Sequence, residues 1–240
     1  MKLSDRHVVV IGGTSGIGLA VAEGALAEGA RVTVASSRRE TVDAGLASLS
    51  GASGDVIDVK DDRSVQAFFE RVGSLDHLVF TAGDWGGPRN NTLGAVDLDA
   101  AQALFSVRFW GALRAVKHAS SRIAPDGSVT LTDGMIAHNP SPGSFVSTAM
   151  AGAIEHLTRA LAVELKPVRV NAVCPGLILT DVWNSIPEEK RAERLARMTA
   201  HLPLARVGKP DEAAEAYLYL MRGGYTTGQV LLVDGGSSVA

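Results

Sequence analysis

The sequence predicts an α/β fold, a doubly wound parallel sheet with helices on both faces, in a single domain over residues 1–240. Apolar runs of strand length alternate with helical patterns along the whole chain, without a long linker or a break in composition. The first of these runs ends in a glycine-rich turn that opens a helix. Small or polar residues follow several predicted strands, at the edge of the sheet where folds of this class bind ligands.

The bulk composition narrows the functional classes. A chain of 240 residues that is 46% hydrophobic can bury a core of its own, and a net charge of −3 gives no basic field for nucleic acid. No apolar run approaches the length that spans a membrane. The single cysteine, Cys174, excludes an internal disulfide and a cysteine-ligated metal cluster, so we expect a buried thiol and no metal. Residues 1–5 lead directly into the first strand without room for a signal peptide, which predicts a cytoplasmic protein.

The glycine-rich turn follows a β-branched strand at residues 8–11 and has the spacing G-x-x-x-G-x-G. Amide N–H groups and the positive end of the helix dipole favour a phosphate at such a turn, and glycine lets the backbone approach it closely. We therefore predict a dinucleotide site here, although tight packing alone also favours glycine. The predicted contacts are Gly12, Thr14, Ser15, Gly16, Ile17 and Gly18.

The second predicted strand, at residues 31–35, ends in Ser36, Ser37, Arg38 and Arg39. Folds of this class meet the adenosine ribose at this point, where an acidic residue would suit a free 2′-hydroxyl. Two hydroxyls and two guanidinium groups favour a 2′-phosphate instead, because arginine binds phosphate in a bidentate manner. The sequence therefore favours NADP(H) over NAD(H), the alternative being that these are solvated loop charges.

The remaining elements follow in order. The predicted strands are at about residues 54–58, 75–80, 128–131, 167–173 and 229–233. The predicted helices are at about residues 17–27, 62–72, 98–123, 144–165, 188–199 and 211–221. A loop rich in glycine, asparagine and proline spans residues 84–94, and its Trp85 is more simply a packing residue than a ligand platform.

Further motifs stand at the ends of these strands. Asp58 and Val59 follow the third strand, Thr81, Ala82 and Gly83 follow the fourth, and Pro175, Gly176 and Thr180 follow the sixth. Together with the glycine turn, these motifs resemble those of the short-chain dehydrogenase/reductase family over essentially the whole chain. The resemblance implies a Rossmann-type fold, an NAD(P)-dependent oxidoreductase acting on a carbonyl or alcohol, and a homodimer or homotetramer. It also implies that Asp58 and Val59 contact adenine, that Ala82 and Gly83 belong to a weakened N-A-G motif, and that Pro175, Gly176 and Thr180 surround the nicotinamide carboxamide.

The family's four catalytic positions carry other residue types here. The family uses asparagine, serine, tyrosine and lysine, and its spacing predicts that Arg108, Asp133, Val146 and Met150 stand at those positions. No Y-x-x-x-K occurs anywhere in the chain. A free phenol has a pKa of about 10 and needs a neighbouring ammonium to act near neutrality, so conventional proton transfer lacks both of its groups. We expect activity that is lost, reduced or carried by other groups, the alternative being a non-catalytic nucleotide-binding subunit that assembles with itself or an active paralogue.

Three polar residues are candidates for the altered site. Opposite charges lead us to expect that Arg108 and Asp133 pair across it, since buried charges are costly unless paired. His138 follows Asp133 on a loop and titrates near neutrality, so it is the candidate substitute acid or base. The alternative is an ordinary loop histidine. The sequence names no substrate beyond a small molecule.

Overall fold

The computed structural model describes residues 3–83 and 92–240, where the strands form one parallel sheet in the order β3-β2-β1-β4-β5-β6-β7. The strands are β1 (His7–Ile11), β2 (Arg31–Ser36), β3 (Ser53–Val56), β4 (Leu75–Phe80), β5 (Ile123–Thr132), β6 (Arg169–Pro175) and β7 (Val230–Val233). The helices are α1 (Gly16–Ala27), α2 (Arg39–Leu46), α3 (Asp62–Val72), α4 (Leu98–Phe105), α5 (Ala112–Ala119), α6 (Phe145–Glu164), α7 (Glu188–Thr199) and α8 (Pro210–Arg222). The predicted fold class is confirmed. The direction of winding reverses between β1 and β4, which creates a crevice at their carboxyl ends.

One predicted helix boundary is corrected, and one helix was not predicted. The helix predicted over residues 98–123 ends at Ala119, and it contains a π-helical turn, Ser106–Gly111, between α4 and α5. The helix α2 is absent from the prediction, because it has only eight residues and carries Gly45 among them. Gly45 packs against the glycine turn, where a Cβ would lie 2.9 Å from the Cα of Thr14.

The sheet is buried on both faces, as its β-branched strands predict. Val9, Leu131 and Val170 point to the face covered by α3, α5 and α6, while Val8 and Val10 point to the face covered by α1 and α8. Side chains alternate along a strand, so a residue two positions beyond Leu131 points to the face that α6 covers. That residue is Asp133, just past the end of β5.

Within the described residues, no helix combines the length and the apolar character that crossing a membrane requires.

Candidate functional site

The glycine turn between β1 and α1 forms a cradle without side-chain bulk. Gly12 has φ +90° and Gly16 has φ +52°, conformations that other residues rarely adopt. A Cβ on Gly18 would lie 2.2 Å from the carbonyl oxygen of Gly12, so the turn can close onto the helix only without one. Ser15 is the N-cap of α1, but its exposed side chain makes no capping hydrogen bond. The cradle fits a phosphate group.

Neighbouring strand ends bring other predicted residues to the same cradle. The amides of Thr81 and Ala82 donate to the carbonyl oxygen of Ile11 at 2.9 and 3.1 Å. Thr180 lies across the crevice, where its Cγ2 would be 3.2 Å from a Cβ on Gly16. Gly176 is held next to β7 by its amide, which donates to the Val233 carbonyl at 2.9 Å. The structure thus gathers the ends of β1, β4 and β6 at one place, as the sequence predicts.

Two predicted adenine contacts lie at the end of β3. Asp58 is exposed, and its carboxylate accepts a hydrogen bond from the Lys60 amide at 2.9 Å. Val59 is buried against Gly111. Asp58 is therefore open to a ligand, whereas Val59 can offer one only its backbone.

The end of β2 carries two arginines in different situations. Arg39 lies within 3.4 Å of Asp55 and 3.9 Å of Asp43, and Arg71 also binds Asp55 at 2.7 Å. Arg38 is exposed, and its side chain makes no hydrogen bond or ion pair to any residue in the described ranges. Ser36 is half-buried and Ser37 exposed beside it. Of the two guanidinium groups, that of Arg38 is the one left for an anion.

Asp133 is a deeply buried carboxylate at the carboxyl edge. It is 2% exposed, and neither carboxylate oxygen has a hydrogen-bond partner within residues 3–83 and 92–240. Burial raises the pKa of Asp133 to about 7, and the nearby Glu155 carboxylate also raises it, while the Gly134 amide acts in the opposite direction. A neighbouring threonine, Thr132, points to the other face of the sheet and bonds the buried Tyr217 hydroxyl at 2.8 Å.

Glu155, on α6, is a site residue that the sequence reasoning missed. It is 8% exposed, and one of its oxygens lies 2.6 Å from Nε2 of His138, an ion-pair distance although the angle is not that of a hydrogen bond. Arg159 approaches its other oxygen at 3.6 Å. A signal was available, because Glu155 interrupts the buried stripe of α6 next to Ile154 and Thr158.

Cys174 completes this group from β6. Its thiol is buried, as predicted, and burial together with the charge of Asp133 raises its pKa well above the ordinary value. Ligand atoms of Asp133, His138 and Cys174 all lie within 4.8 Å of one another, a grouping among the described residues that could hold a metal ion. The prediction of no metal therefore remains a prediction.

The expected pairing of Arg108 with Asp133 is wrong. Both residues are described and buried, and no ion pair within 4.0 Å joins them. The guanidinium of Arg108 lies instead over Gly83, where a Cβ would be 2.6 Å from Nη2. The cause is position, because the π-helical turn directs Arg108 to the end of β4 while Asp133 lies under α6 beside Glu155.

The predicted register of α6 is also corrected. Met150 is 7% exposed and belongs to the hydrophobic core with Ile154, rather than to the site. Residues spaced by four share a helix face, so Ser147 and Ala151 lie on the side that carries Glu155, and Val146 lies on the adjacent side with Met150. Neither register supplies a tyrosine or a lysine.

Residues 84–91, which include Trp85 of the predicted loop, lie outside the described residues.

A parallel sheet with a glycine cradle at its switch point defines a dinucleotide-binding protein of the Rossmann type. Residues 12–238 match the family model described as enoyl-(acyl carrier protein) reductase. The chain is 35% identical to short-chain dehydrogenase/reductase ATR9 of Stachybotrys chlorohalonatus over 98% of both chains. The chain belongs to the short-chain dehydrogenase/reductase family of oxidoreductases.

Two solved structures that contain NADPH are similar to the chain over nearly its whole length. A small-chain dehydrogenase in complex with NADPH is 36% identical, with a TM-score of 0.86, over 99% of this chain and 100% of that one. An NADPH-bound short-chain oxidoreductase from Pseudomonas aeruginosa PAO1 is 30% identical, with a TM-score of 0.90, over 99% of each chain, and is described as containing an atypical catalytic centre.

Proposed function

We propose that the protein binds NADP(H) in preference to NAD(H) and catalyses hydride transfer involving a carbonyl or alcohol group, without the family's tyrosine and lysine. The exposed guanidinium of Arg38 at the end of β2, which has no partner among the described residues, is the observation that carries the cofactor preference. A 2′-phosphate is a dianion, and a single arginine binds it with two parallel hydrogen bonds. The NADPH bound in two structural relatives supports the same cofactor.

Each part of the cofactor has residues that suit it. The cradle from Gly12 to Gly18 suits the pyrophosphate, because no side chain hinders its backbone amides and they lie at the N-terminus of a 12-residue helix. Asp58 suits the adenine, since its carboxylate is exposed beside β3. Gly176 and Thr180 line the opposite wall and suit the nicotinamide carboxamide.

The residues around Asp133 then act on the reacting atoms of the substrate. When bound, the cofactor supplies or accepts a hydride. Asp133 holds a proton at the end of β5, and Arg108 presents a cation near Gly83 that can orient an oxygen of the substrate. The buried surroundings exclude water, which strengthens both effects.

Calorimetric titration with NADPH and NADH tests the cofactor preference. We expect Arg38→Ala to weaken NADPH binding about 10- to 100-fold, the loss of one charge-assisted bidentate contact, and to leave NADH binding unchanged. Arg39→Ala is the matched control, because the Arg39 side chain is already engaged by two carboxylates. Equal losses in the two variants, or equal affinity of the unaltered protein for both dinucleotides, would refute the preference.

A second candidate is a non-catalytic nucleotide-binding or regulatory subunit. It is favoured by the helix face at Ser147 and Ala151, which supplies no conventional proton donor. Single-turnover mixing with NADPH and a panel of aldehydes and ketones distinguishes the two. Consumption of bound NADPH supports the enzyme, whereas tight binding with no consumption, joined to capture of an active paralogue, supports the subunit.

We also propose a cytoplasmic homodimer or homotetramer. Trp110 on the π-helical turn is 50% exposed and Val163 on α6 is 72% exposed, apolar surface that a second copy could cover. Light scattering coupled to size-exclusion chromatography measures the assembly, and a monomer at micromolar concentration would exclude it.

A further inference from the structure

Two carboxylates from different elements lie in the buried part of the site, close enough for Glu155 to raise the pKa of Asp133. Asp133 comes from the end of β5 and Glu155 from the middle of α6, and both are more than nine-tenths buried. Both oxygens of Asp133 and one of Glu155 lack hydrogen-bond partners in the described part of the chain. Two ionised carboxylates in contact repel each other and are poorly solvated when buried, so one of them takes up a proton.

The groups around the pair give it little positive charge. The loop contributes His138, whose Nε2 is 2.6 Å from Glu155, and α6 contributes Arg159 at 3.6 Å, half-exposed on the far side of Glu155. No cation is in ion-pair contact with Asp133 itself among the residues described. Among the described residues, the other titratable or charged groups nearby are Cys174 on β6, Tyr217 on α8, Arg108 on the π-helical turn and Asp234 after β7.

Resting on the proposed function, we propose that Asp133 and Glu155 share one proton and that this pair, connected to solvent through His138, delivers the proton that accompanies hydride transfer. The exposure of the side chains supports this direction of transfer. It falls from 34% at His138 to 10% at Glu155, and Asp133 as a residue is 2% exposed. The three residues therefore form a path from solvent to the interior.

The chemical balance is that of a carbonyl reduction. The substrate carbon gains a hydride, and the O–H bond of protonated Asp133 breaks as a new O–H bond forms on the substrate oxygen. Both carboxylates are then ionised, so His138 first passes a proton from water to Glu155, and Glu155 passes it on to Asp133. One hydride and one proton enter the substrate in each turnover, and the pair ends in its initial state.

Neither of the other buried acids near Asp133 serves as well. Burial raises the pKa of Cys174 and of Tyr217 well above their ordinary values, so both are poor proton donors near neutrality. Tyr217 is also fully buried on the opposite face of the sheet, where it bonds Thr132. Asp133 combines access to the α6 face with a proton that it can release near neutral pH.

Infrared titration of the cofactor-free protein tests the shared proton without any catalytic measurement. Exposed carboxyl groups are ionised above about pH 5, so the carbonyl stretch of a protonated carboxyl between about pH 5 and about pH 7 reports the pair. We expect one such band in the unaltered protein and its loss in Asp133→Asn. In Glu155→Gln it should persist but titrate about one pH unit lower, because the like charge is gone.

Glu164→Gln, an exposed glutamate on the same helix, is the matched control and should leave the band unchanged. Absence of the band in the unaltered protein, which needs no variant to fold, overturns the proposal. So does a stoichiometric Zn²⁺ that chelation removes, because a cation held by Asp133, His138 and Cys174 would replace the proton.

NADPH titration separates this proposal from the proposed function. If the unaltered protein fails to bind NADPH, the proposed function fails and with it the delivery step, while the infrared band still decides whether the proton is shared. If NADPH binds and single turnover occurs, we expect Asp133→Asn to slow hydride transfer about 100-fold or more with unchanged NADPH affinity. An unchanged rate in that variant overturns delivery by the pair.

Discussion

At the amino ends of the strands, buried polar side chains bond to one another, whereas at the carboxyl ends several of them have no partner within the described residues. His7 lies 2.8 Å from the Thr33 hydroxyl, and His77 lies 2.9 Å from the Ser128 hydroxyl. At the opposite edge, Asp133 and Glu155 are equally buried but retain oxygens without hydrogen bonds. The strand side chains His7 and His77 are therefore bonded near the amino edge, while the carboxyl edge includes carboxylates without hydrogen bonds.

The polar groups at the two edges therefore play different roles, in stability at the amino edge and in ligand chemistry at the carboxyl edge. A buried polar group that is fully bonded helps to specify one packing arrangement, and its loss leaves partners unsatisfied. A buried group that lacks partners destabilises the folded state and remains free to act on a ligand. The comparison predicts that substitutions at the amino edge cost stability, while substitutions at the carboxyl edge cost little or stabilise the protein.

The largest effect is expected at Arg169, which begins β6 at the amino edge. Its guanidinium donates to the carbonyl oxygens of Leu220 and Met221 at 2.5 and 2.9 Å, and so caps the end of α8. Arg169→Met keeps the aliphatic volume but leaves both buried carbonyls without a donor, at a cost of about 3 kcal/mol. Urea denaturation measures the loss, and the exposed Arg194→Met should change the free energy of unfolding by less than about 0.5 kcal/mol. Similar values for the two variants would contradict a structural role for this edge.

A smaller effect is expected from acid at His77. Burial, followed by the charge of Arg169, lowers the pKa of His77 to about 4. Below about pH 6.5 the unfolded chain binds a proton at His77 that the folded chain does not bind. The contribution of His77 to stability is therefore fully present above that pH and is lost as the pH drops towards about 4. We expect this loss to reach on the order of 2 kcal/mol, and to be absent in His77→Asn, which does not titrate.

Unfolding by urea at a series of pH values provides the measurement, with the exposed His201→Asn as the control. If His77→Asn keeps the acid-dependent slope of the unaltered protein, the group responsible lies elsewhere.

The sequence predicts the fold and the glycine turn after β1 well because both depend on local pattern. Consecutive residues determine three features that the sequence predicts. These are the apolar run at residues 8–11, the glycine spacing and the Asp62–Val72 helix. The eight-residue α2 and the end of α5 at Ala119 are not predicted, since short helices carry too few turns to show a period.

The altered site is predicted less well because it depends on tertiary contacts. The expectation that Arg108 meets Asp133 follows from charge, but the π-helical turn and the rotation of α6 decide which side chains meet. A one-residue error along α6 turns the side chain by about 100°, which is the difference between Met150 in the core and Ala151 on the face of Glu155. Periodicity in the sequence gives the helix but leaves this rotation to packing.

The smallest effect, and the one of opposite sign, is expected at Asp133. Its pKa is raised in the folded state by burial and by Glu155, so the folded chain holds a proton that the unfolded chain has lost. Stability therefore falls as the pH rises from about 4 to about 7 and is lowest above that range. Asp133→Asn removes the ionisation and should raise the free energy of unfolding at about pH 8 by about 1 kcal/mol, with little change at about pH 5. The gain is modest because the amide is no better bonded than the carboxyl group, and the exposed Asp43→Asn should give none. Destabilisation by Asp133→Asn at both pH values would show that the Asp133 carboxylate has hydrogen-bond partners in the folded protein. The contrast between the two edges would then be wrong.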